Sequence, residues 1–259
     1  MRSKKIATQK GMASLILQHA RGVLGARDNR LGLVIASLIC LAASALVMFL
    51  FSIVHQVIYM LPLGVPQYET AVAILAVAIG FFAFWLVGPL YLGALRIAAN
   101  ASTERDFSLS QMFVFYSSFS LLARAWRILS GTFFRLIMVG ASIGSIVAAV
   151  VEPWEGAEPW ILLGIGVCLF LLWALLTTVS YPAAALAVSD LLLPLRVARH
   201  RGRAMTRKHR WALALLRIEL LLLFAVSLLS VGVVTLFYVI PLMLAARIST
   251  LPLLAEYGN

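Results

Sequence analysis

Long apolar stretches, separated by short segments that hold most of the charge, organise this chain. The apolar stretches cover about 31–54, 70–95, 128–151, 160–188, 211–231 and 233–254. A helix needs about 20 apolar residues to cross the roughly 30 Å of hydrocarbon in a membrane, and these stretches reach that length. The pattern predicts an all-α, polytopic transmembrane helix bundle of about six spans, built as a single unit over residues 31–254.

The number of spans depends on how residues 211–254 fold. This stretch has 44 residues, of which only Arg217, Glu219 and Arg247 are charged. A single helix of that length would extend about 66 Å, roughly twice the hydrocarbon thickness, and tilting rarely absorbs such an excess. Two spans joined by a tight turn near Val231–Gly232 fit better, and a total of five spans is the alternative.

The composition agrees with a membrane protein and excludes a water-soluble fold. Of the 259 residues, 63% are apolar and 12% are charged. An average soluble domain is about 45–50% apolar and about 25% charged. A soluble chain of this size has no place to bury so much apolar surface.

The positive charge is confined to particular segments. Of the 21 Lys and Arg residues, 18 lie within 1–30, 96–127 and 190–210, whereas 55–69 and 152–159 hold none. Basic residues are retained on the cytoplasmic side of a membrane during insertion. The distribution therefore predicts that the N-terminus and all three basic segments are cytoplasmic, and with six spans the C-terminus is cytoplasmic as well.

Each basic segment also contains a stretch with the spacing of an amphipathic helix. In the segment 1–30, apolar residues recur with helical spacing at Met12, Leu15, Ile16, His19, Ala20, Val23 and Leu24. Two further amphipathic helices are predicted at about 107–123 and 194–210, and Ser108 and Gln111 have the spacing of a capping box at the start of the first. We expect all three helices to lie in the membrane interface.

The third basic segment contains a candidate lipid contact. One face of its predicted helix carries Arg196, Arg199, Arg203, Arg207 and Arg210. An arginine next to an anionic membrane surface contributes about 1 kcal/mol to binding, so we expect contact with anionic lipids of the inner leaflet. Nucleic acid is the alternative ligand for a basic segment, but no interleaved aromatic residues or nucleic-acid-binding motif are present, and we expect none.

The segments 96–127 and 190–210 follow a similar plan, which suggests a weak internal repeat of span, interfacial helix, Trp and span. The repeat aligns Trp126 with Trp211 and places Arg135 and Glu219 at similar depth in spans three and five. Ionisable groups inside a membrane are costly and usually face a partner or a wet cavity. We predict an ion pair between Arg135 and Glu219, with Arg217 nearby. The alternative is chance resemblance, with each side chain reaching the interface separately.

Span three contains a candidate helix-packing face. Gly140 and Gly144 form a Gly-x-x-x-Gly pattern, followed by the small residues Ser145 and Ala148. Small residues at this spacing let two helices approach closely within a membrane. The partner helix belongs either to the same bundle or to a second protomer.

Catalytic and metal-binding patterns are not visible in the sequence. It contains no Gly-x-Ser-x-Gly, phosphate-binding loop, His-Glu-x-x-His or paired-carboxylate motif. Cys40 and Cys168 lie in separate apolar stretches without redox or metal-ligand spacing. We therefore expect no catalytic residue, no metal and no cofactor, and a protein that is not an enzyme.

Three segments of the C-terminal half form a recognisable pattern, namely "SYPAAALAVSD" at 180–190, "RGRAMTRKHRWALALLRIELLLL" at 201–223 and "VGVVTLFYVIP" at 231–241. In these segments the chain resembles a family of bacterial integral-membrane proteins known as domain of unknown function 975. The chain departs from the family pattern at Thr206 and Arg207, where the family has Gly after the Met, and at Leu242, where it has Tyr. The resemblance implies a multi-span bundle in a bacterial inner membrane and no particular activity. Membrane domains associated with glycerophosphodiesterases are more distantly similar.

Two functions are compatible with these patterns. The first is a non-enzymatic accessory or scaffold protein of the inner membrane, whose basic cytoplasmic face contacts anionic lipids and whose partner is another membrane protein or a second copy of itself. The alternative is a small transporter or lipid-handling permease, which the internal repeat and the Arg135–Glu219 pair would favour.

A double charge swap tests the predicted ion pair. If Arg135 and Glu219 form a pair, then Arg135→Glu and Glu219→Arg each lower the level of folded protein, and the double variant restores it because the attraction is re-formed. The measurement is the amount of monodisperse protein extracted from membranes. Failure of the double variant to recover would mean that each side chain reaches the interface on its own.

Overall fold

The described part of the chain is helical throughout and contains no strand. The computed structural model describes residues 9–62, 64–103, 108–151, 158–228 and 234–257, except for the side chains at 9 and 10, several between 131 and 147 and between 174 and 181, and those at 151, at 228 and after 254. In chain order the helices are α1 (Gln9–Gly25), α2 (Arg27–Met60), α3 (Val65–Ser102), a 3₁₀ helix (Leu109–Tyr116), α4 (Phe119–Val151), α5 (Glu158–Ser189), α6 (Leu195–Thr206), α7 (Arg210–Leu228), a π-helical turn (Thr235–Val239) and α8 (Ile240–Tyr257).

Three helices are long and apolar enough to cross a membrane. They are α2, α3 and the helix over Thr235–Leu254, and a shorter apolar helix covers Glu158–Trp173. The helices α2, α3, α4, α5, α7 and α8 each cover all or most of one predicted span. The all-α class is therefore confirmed for the described residues.

Residues 211–254 form two helices and not one. The Ser227 hydroxyl, near the end of α7, lies 2.7 Å from the hydroxyl of Thr235 at the start of the π-helical turn. In a continuous helix, residues eight positions apart are separated by about 12 Å. The helix therefore does not run unbroken from Ser227 to Thr235, and the predicted turn at Val231–Gly232 falls in the segment that lies outside the described residues.

The three basic segments meet at one end of the bundle, which we call the basic end. Asn29, at the start of α2, donates to the Ala101 carbonyl near the end of α3 at 3.5 Å. Arg124, near the start of α4, donates to the carbonyl of Leu193 at 2.7 Å. At the opposite end, called the far end, the Tyr68 hydroxyl of α3 lies 3.0 Å from His55 Nε2 of α2. The segments predicted to share one side of the membrane thus share one end of the protein.

The buried core lies near the basic end. In α3 every fully buried residue falls between Pro89 and Ala101, whereas Ile74 is 65% exposed and Val77 is 75% exposed. In α5 the buried run extends from Pro182 to Val188, interrupted only by the partly buried Leu186. Apolar faces this large and this exposed are unusual for a protein in water and are expected for helices surrounded by lipid.

Short helices cover the ends of the long helices through close backbone contacts. A Cβ atom at Gly93 of α3 would overlap the backbone of Met112 in the 3₁₀ helix, and a Cβ atom at Gly202 of α6 would lie 2.8 Å from the backbone nitrogen of Ala183 in α5. Glycine is needed at both positions because no larger residue lets the two backbones approach so closely.

The N-terminal helix differs from its predicted setting. The apolar stripe of α1 is buried, with Met12, Ile16 and Ala20 fully covered by protein. It packs mainly against α8 and α7, and His19 Nδ1 lies 2.9 Å from the hydroxyl of Ser249 in α8. The stripe was expected to face the membrane interface, but the end of α8 offers it an apolar surface and a hydroxyl partner for His19.

The predicted interfacial helix at 107–123 is wrong in its extent. A 3₁₀ helix covers Leu109–Tyr116, and α4 then begins at Phe119. The break arises because the Ser118 hydroxyl accepts a hydrogen bond from the backbone N–H of Leu121 at 3.3 Å and so starts a new helix. Phe107 lies outside the described residues, and α6 is shorter than its predicted range of 194–210.

The predicted capping box is also wrong. The Ser108 hydroxyl accepts from the backbone N–H of Ser110 at 3.3 Å, not from that of Gln111. The Gln111 side chain accepts instead from the Asn100 side-chain amide at 2.6 Å. Gln111 thus joins the 3₁₀ helix to α3 and does not cap its own helix.

Glycine replacements test the two backbone contacts. Gly93→Ala and Gly202→Ala should each destabilise the protein by about 1–3 kcal/mol, because the new methyl group overlaps backbone atoms that cannot move aside. Gly22→Ala is the matched control, since a Cβ there meets nothing within 4 Å and should stabilise α1 by about 0.5–1 kcal/mol. Thermal unfolding followed by tryptophan fluorescence measures all three. Equal effects at Gly22 and Gly202 would contradict the packing.

Candidate functional site

The C-terminal end of α5 is held by arginines from two other helices. A helix leaves its last four carbonyl groups without partners inside the helix. In α5 the Leu186 carbonyl accepts from the backbone N–H of Asp190 at 3.1 Å, and the Val188 carbonyl accepts from Arg96 Nη1 of α3 at 3.0 Å. A positive charge is favourable here because the helix dipole concentrates negative charge at this end.

Arg124 of α4 makes the largest number of these contacts. Its Nη2 atom lies 3.0 Å from the carbonyl oxygen of Ala187, 3.1 Å from that of Asp190 and 2.7 Å from that of Leu193. Partial burial lowers the pKa of the Arg124 guanidinium, and the Asp190 carboxylate opposes that shift. One planar side chain therefore fixes both the end of α5 and the turn that leads into α6.

Asp190 balances this positive charge and shapes the turn. Its Oδ1 atom accepts from the backbone N–H of Leu192 at 2.9 Å, which is the contact of an Asx turn. Its carboxylate also interacts electrostatically with both Arg96 and Arg124. Its two arginine neighbours come from distant parts of the chain.

The five arginines predicted to contact lipid are all exposed. They are Arg196, Arg199, Arg203, Arg207 and Arg210. A neighbouring side of α6, about 100° around the helix from these arginines, is buried at Ala198, Gly202 and Thr206. Arg199 also donates from Nη2 to the carbonyl of Arg127 in α4 at 3.2 Å. Arg196, Arg199 and Arg203 lie on α6, whereas Arg207 follows it and Arg210 begins α7. The helix is thus attached to α5 and α4 while these arginines stay exposed, and we call the five residues the arginine stripe.

The predicted intramembrane ion pair is described only in part. The Arg135 side chain lies outside the described residues. Glu219 is exposed and shares a face of α7 with Leu215 and Leu222, as expected for a side chain that reaches the interface separately. Arg217 lies over the ring of Trp173 in α5, with 5.6 Å between its guanidinium carbon and the ring centroid. The Arg135–Glu219 pair stays a prediction.

One contact between α4 and α5 is made by Ser142. The Ser142 hydroxyl donates to the Gly166 carbonyl of α5 at 2.7 Å and is buried. Ser142 lies about 200° around the helix from Gly140. The surroundings of Gly140 and Gly144 lie outside the described part of α4, so their packing role stays a prediction.

Sequence reasoning missed the structural role of three arginines, namely Arg96, Arg124 and Arg247. Arg247 of α8 donates to the Tyr91 hydroxyl of α3 at 2.5 Å and lies over its ring at 5.5 Å. A signal was present in the sequence, because "PLYLGALRI" at 89–97 and "PLMLAARI" at 241–248 are similar and each ends in an arginine within an apolar helix. That likeness predicts that both arginines bond to protein groups.

Comparisons with known proteins add no family or fold assignment. No family model matches the chain, and neither a curated protein nor a solved structure is similar to it. The resemblance to domain of unknown function 975 stays a prediction. Within the described residues, no group of three or more His, Cys, Asp or Glu side chains could hold a metal ion.

Arg124 should contribute more to the free energy of unfolding than a nearby arginine of α4 that lacks these contacts. Arg124→Gln should destabilise the protein by about 2 kcal/mol or more, because hydrogen bonds from a charged donor to three backbone carbonyls, one of them buried at Ala187, are lost. Arg124→Lys should not rescue it, since an ammonium group cannot reproduce the planar donor arrangement. Arg127→Gln, at an exposed position one turn away, is the control. The measurement is the midpoint of thermal unfolding of the three variants. Similar midpoints for Arg124→Gln and Arg127→Gln would contradict the stabilising role of the Arg124 hydrogen bonds.

Proposed function

We propose that this chain is a six-span protein of the bacterial inner membrane, with its N-terminus and the basic end on the cytoplasmic side. Six helices each cover all or most of one predicted span, and the 2.7 Å approach of the Ser227 and Thr235 hydroxyls supports two helices after residue 210. The confinement of basic residues to one end supports the orientation, because such residues remain cytoplasmic during insertion.

Within that membrane we propose a non-enzymatic accessory or scaffold role, in which the basic end contacts anionic lipids of the inner leaflet. The carrying observation is α6, a helix attached to the bundle by Gly202 and Thr206 while its arginine stripe remains exposed. Several arginines at about 1 kcal/mol each form a substantial lipid contact. The partner that such a protein would support is another membrane protein or a second copy of this chain.

A small transporter or lipid-handling permease is the second candidate. It is favoured by the polar contact between Arg247 and Tyr91, which joins α8 to α3 between two largely apolar helices. A transporter needs polar groups within its spans at the substrate site. Cysteines placed beside Tyr91 would react with a water-soluble reagent if this region lines a wet cavity, and would stay unreactive in a scaffold.

Thermal unfolding of the protein in lipid nanodiscs tests the lipid contact of the arginine stripe. The nanodiscs contain phosphatidylcholine with an increasing fraction of the anionic lipid phosphatidylglycerol. The midpoint of thermal unfolding should rise with the anionic fraction, because lipid that binds only the folded protein stabilises it. Arg203→Gln/Arg207→Gln should lose most of this rise. Salt should weaken it in the wild type, since exposed charges are screened.

Arg201→Gln is the matched control for Arg203→Gln. Both arginines are exposed on α6, but they lie about 200° apart around the helix. Arg201→Gln should keep the lipid dependence, and Arg203→Gln should reduce it. If the two variants behave alike, or if the double variant retains the full rise, the arginine stripe is not the lipid contact.

A further inference from the structure

An open groove of about 510 Å³ lies at the basic end, between the first turns of α4 and the segment that joins α5 to α6. Arginines line it from both sides, with Arg124 and Arg127 on α4 and Arg196 at the start of α6. The apolar part of its wall includes Leu121 and Leu195. Its volume falls within the range of roughly 300–1,000 Å³ that is typical of small-molecule sites.

The three arginines differ in what they can offer to a ligand. Arg124 is committed to the carbonyls at the end of α5 and holds the wall of the groove in place. Arg127 and Arg196 are exposed, and among the described residues neither guanidinium has a hydrogen-bond acceptor in the protein. Two guanidinium groups with free donors therefore face one space.

The backbone that carries these two arginines is held by the surrounding contacts. The Arg127 carbonyl accepts from Arg199 of α6, so α4 and α6 are joined at a residue that lines the groove. Arg124 donates to the Leu193 carbonyl and thereby sets the path of the chain just before Arg196. Fixed walls reduce the ordering that a ligand would have to impose, which favours a discrete site over a diffuse charged surface.

The chemistry of the groove matches a phosphoryl group attached to an apolar body. Guanidinium groups bind phosphate oxygens through paired, charge-assisted hydrogen bonds. The Asp190 carboxylate accepts a hydrogen bond from the backbone N–H of Leu192 and interacts electrostatically with Arg96 and Arg124. These two arginines offset its negative charge, so that Arg127 and Arg196 remain available to the ligand. The leucines offer a surface to the glycerol and upper acyl region of a lipid.

We propose that this groove binds one phosphate-bearing headgroup of an anionic phospholipid through Arg127 and Arg196. The site rests on the proposed function, because it lies at the lipid surface only if the basic end faces the inner leaflet. Arg196 belongs both to this groove and to the arginine stripe, and the groove differs from the other four stripe residues in binding one lipid selectively. A phosphomonoester binds more tightly than a phosphodiester, since it presents three terminal oxygens and a larger negative charge.

Native mass spectrometry of the purified protein, titrated with defined lipids, tests the site. Phosphatidic acid should give one tightly held lipid per protein, phosphatidylglycerol a weaker one, and phosphatidylcholine none. Arg127→Gln/Arg196→Gln should weaken phosphatidic acid binding about tenfold or more, as expected when charge-assisted hydrogen bonds are removed. Both positions are exposed, so the variant should fold, which its unfolding midpoint verifies.

The control removes the same number of charges from the arginine stripe. Arg203→Gln/Arg207→Gln should leave the single tight lipid in place. Equal weakening by the two double variants, or binding of many lipids without a first tight one, would overturn the groove as a discrete site. Displacement of the lipid by millimolar inorganic phosphate would support the phosphoryl site but overturn the lipid as its source.

These results separate this proposal from the proposed function. If the groove variant binds phosphatidic acid like the wild type while the stripe variant loses its lipid-dependent stabilisation, the groove proposal fails and the lipid-contacting scaffold stands. If anionic lipid neither binds the wild type nor stabilises it, both proposals fail.

Discussion

The carbonyl groups at the end of α5 must be satisfied in a place where little water can reach them, and this requirement organises the basic end. Arg96 of α3 and Arg124 of α4 supply the donors, so three long helices are joined at one point. An unpaired buried carbonyl costs about 1–3 kcal/mol. A fold in which α3 and α4 bring their arginines to the end of α5 is therefore favoured over one in which these helix ends are separated. The turn to α6, and with it the direction of the arginine stripe, follows from the same contacts.

Once the ends of the long helices are fixed, the short helices close over them. The 3₁₀ helix lies on α3 at Gly93, α6 lies on α5 near Ala183, and α1 lies on α8 near Ser249. The buried core is therefore concentrated at the basic end, while the middle and far parts of the long helices expose apolar side chains such as Val77 and Phe81. This distribution suits a protein whose basic end is held together by its own contacts and whose remaining surface is covered by lipid.

The sequence predicted the long helices well because their signal is local. Apolar runs and charge placement located six helices and grouped three basic segments that do meet at one end. The sequence could not predict which residues these segments contact. Nothing near Arg124 in the chain indicates Leu193, and the burial of the α1 stripe depends on α8, more than 200 residues away. The 3₁₀ helix was missed because the apolar spacing continues across Ser118, whose hydroxyl bond to the backbone N–H of Leu121 starts a new helix there.

The orientation of the basic end is the central claim, and site-directed labelling tests it most directly. Single cysteines would replace Ser14, Ser110 or Ala204 at the basic end and Gln67 or Glu158 at the far end, all exposed positions, in a chain without Cys40 and Cys168. A membrane-impermeant maleimide would be applied to right-side-out and inverted vesicles. The account predicts that the basic-end cysteines react only in inverted vesicles and the far-end cysteines only in right-side-out vesicles. The account would be contradicted if cysteines at positions 204 and 67 reacted from the same side of the membrane. It would also be contradicted if the basic-end cysteines reacted from different sides.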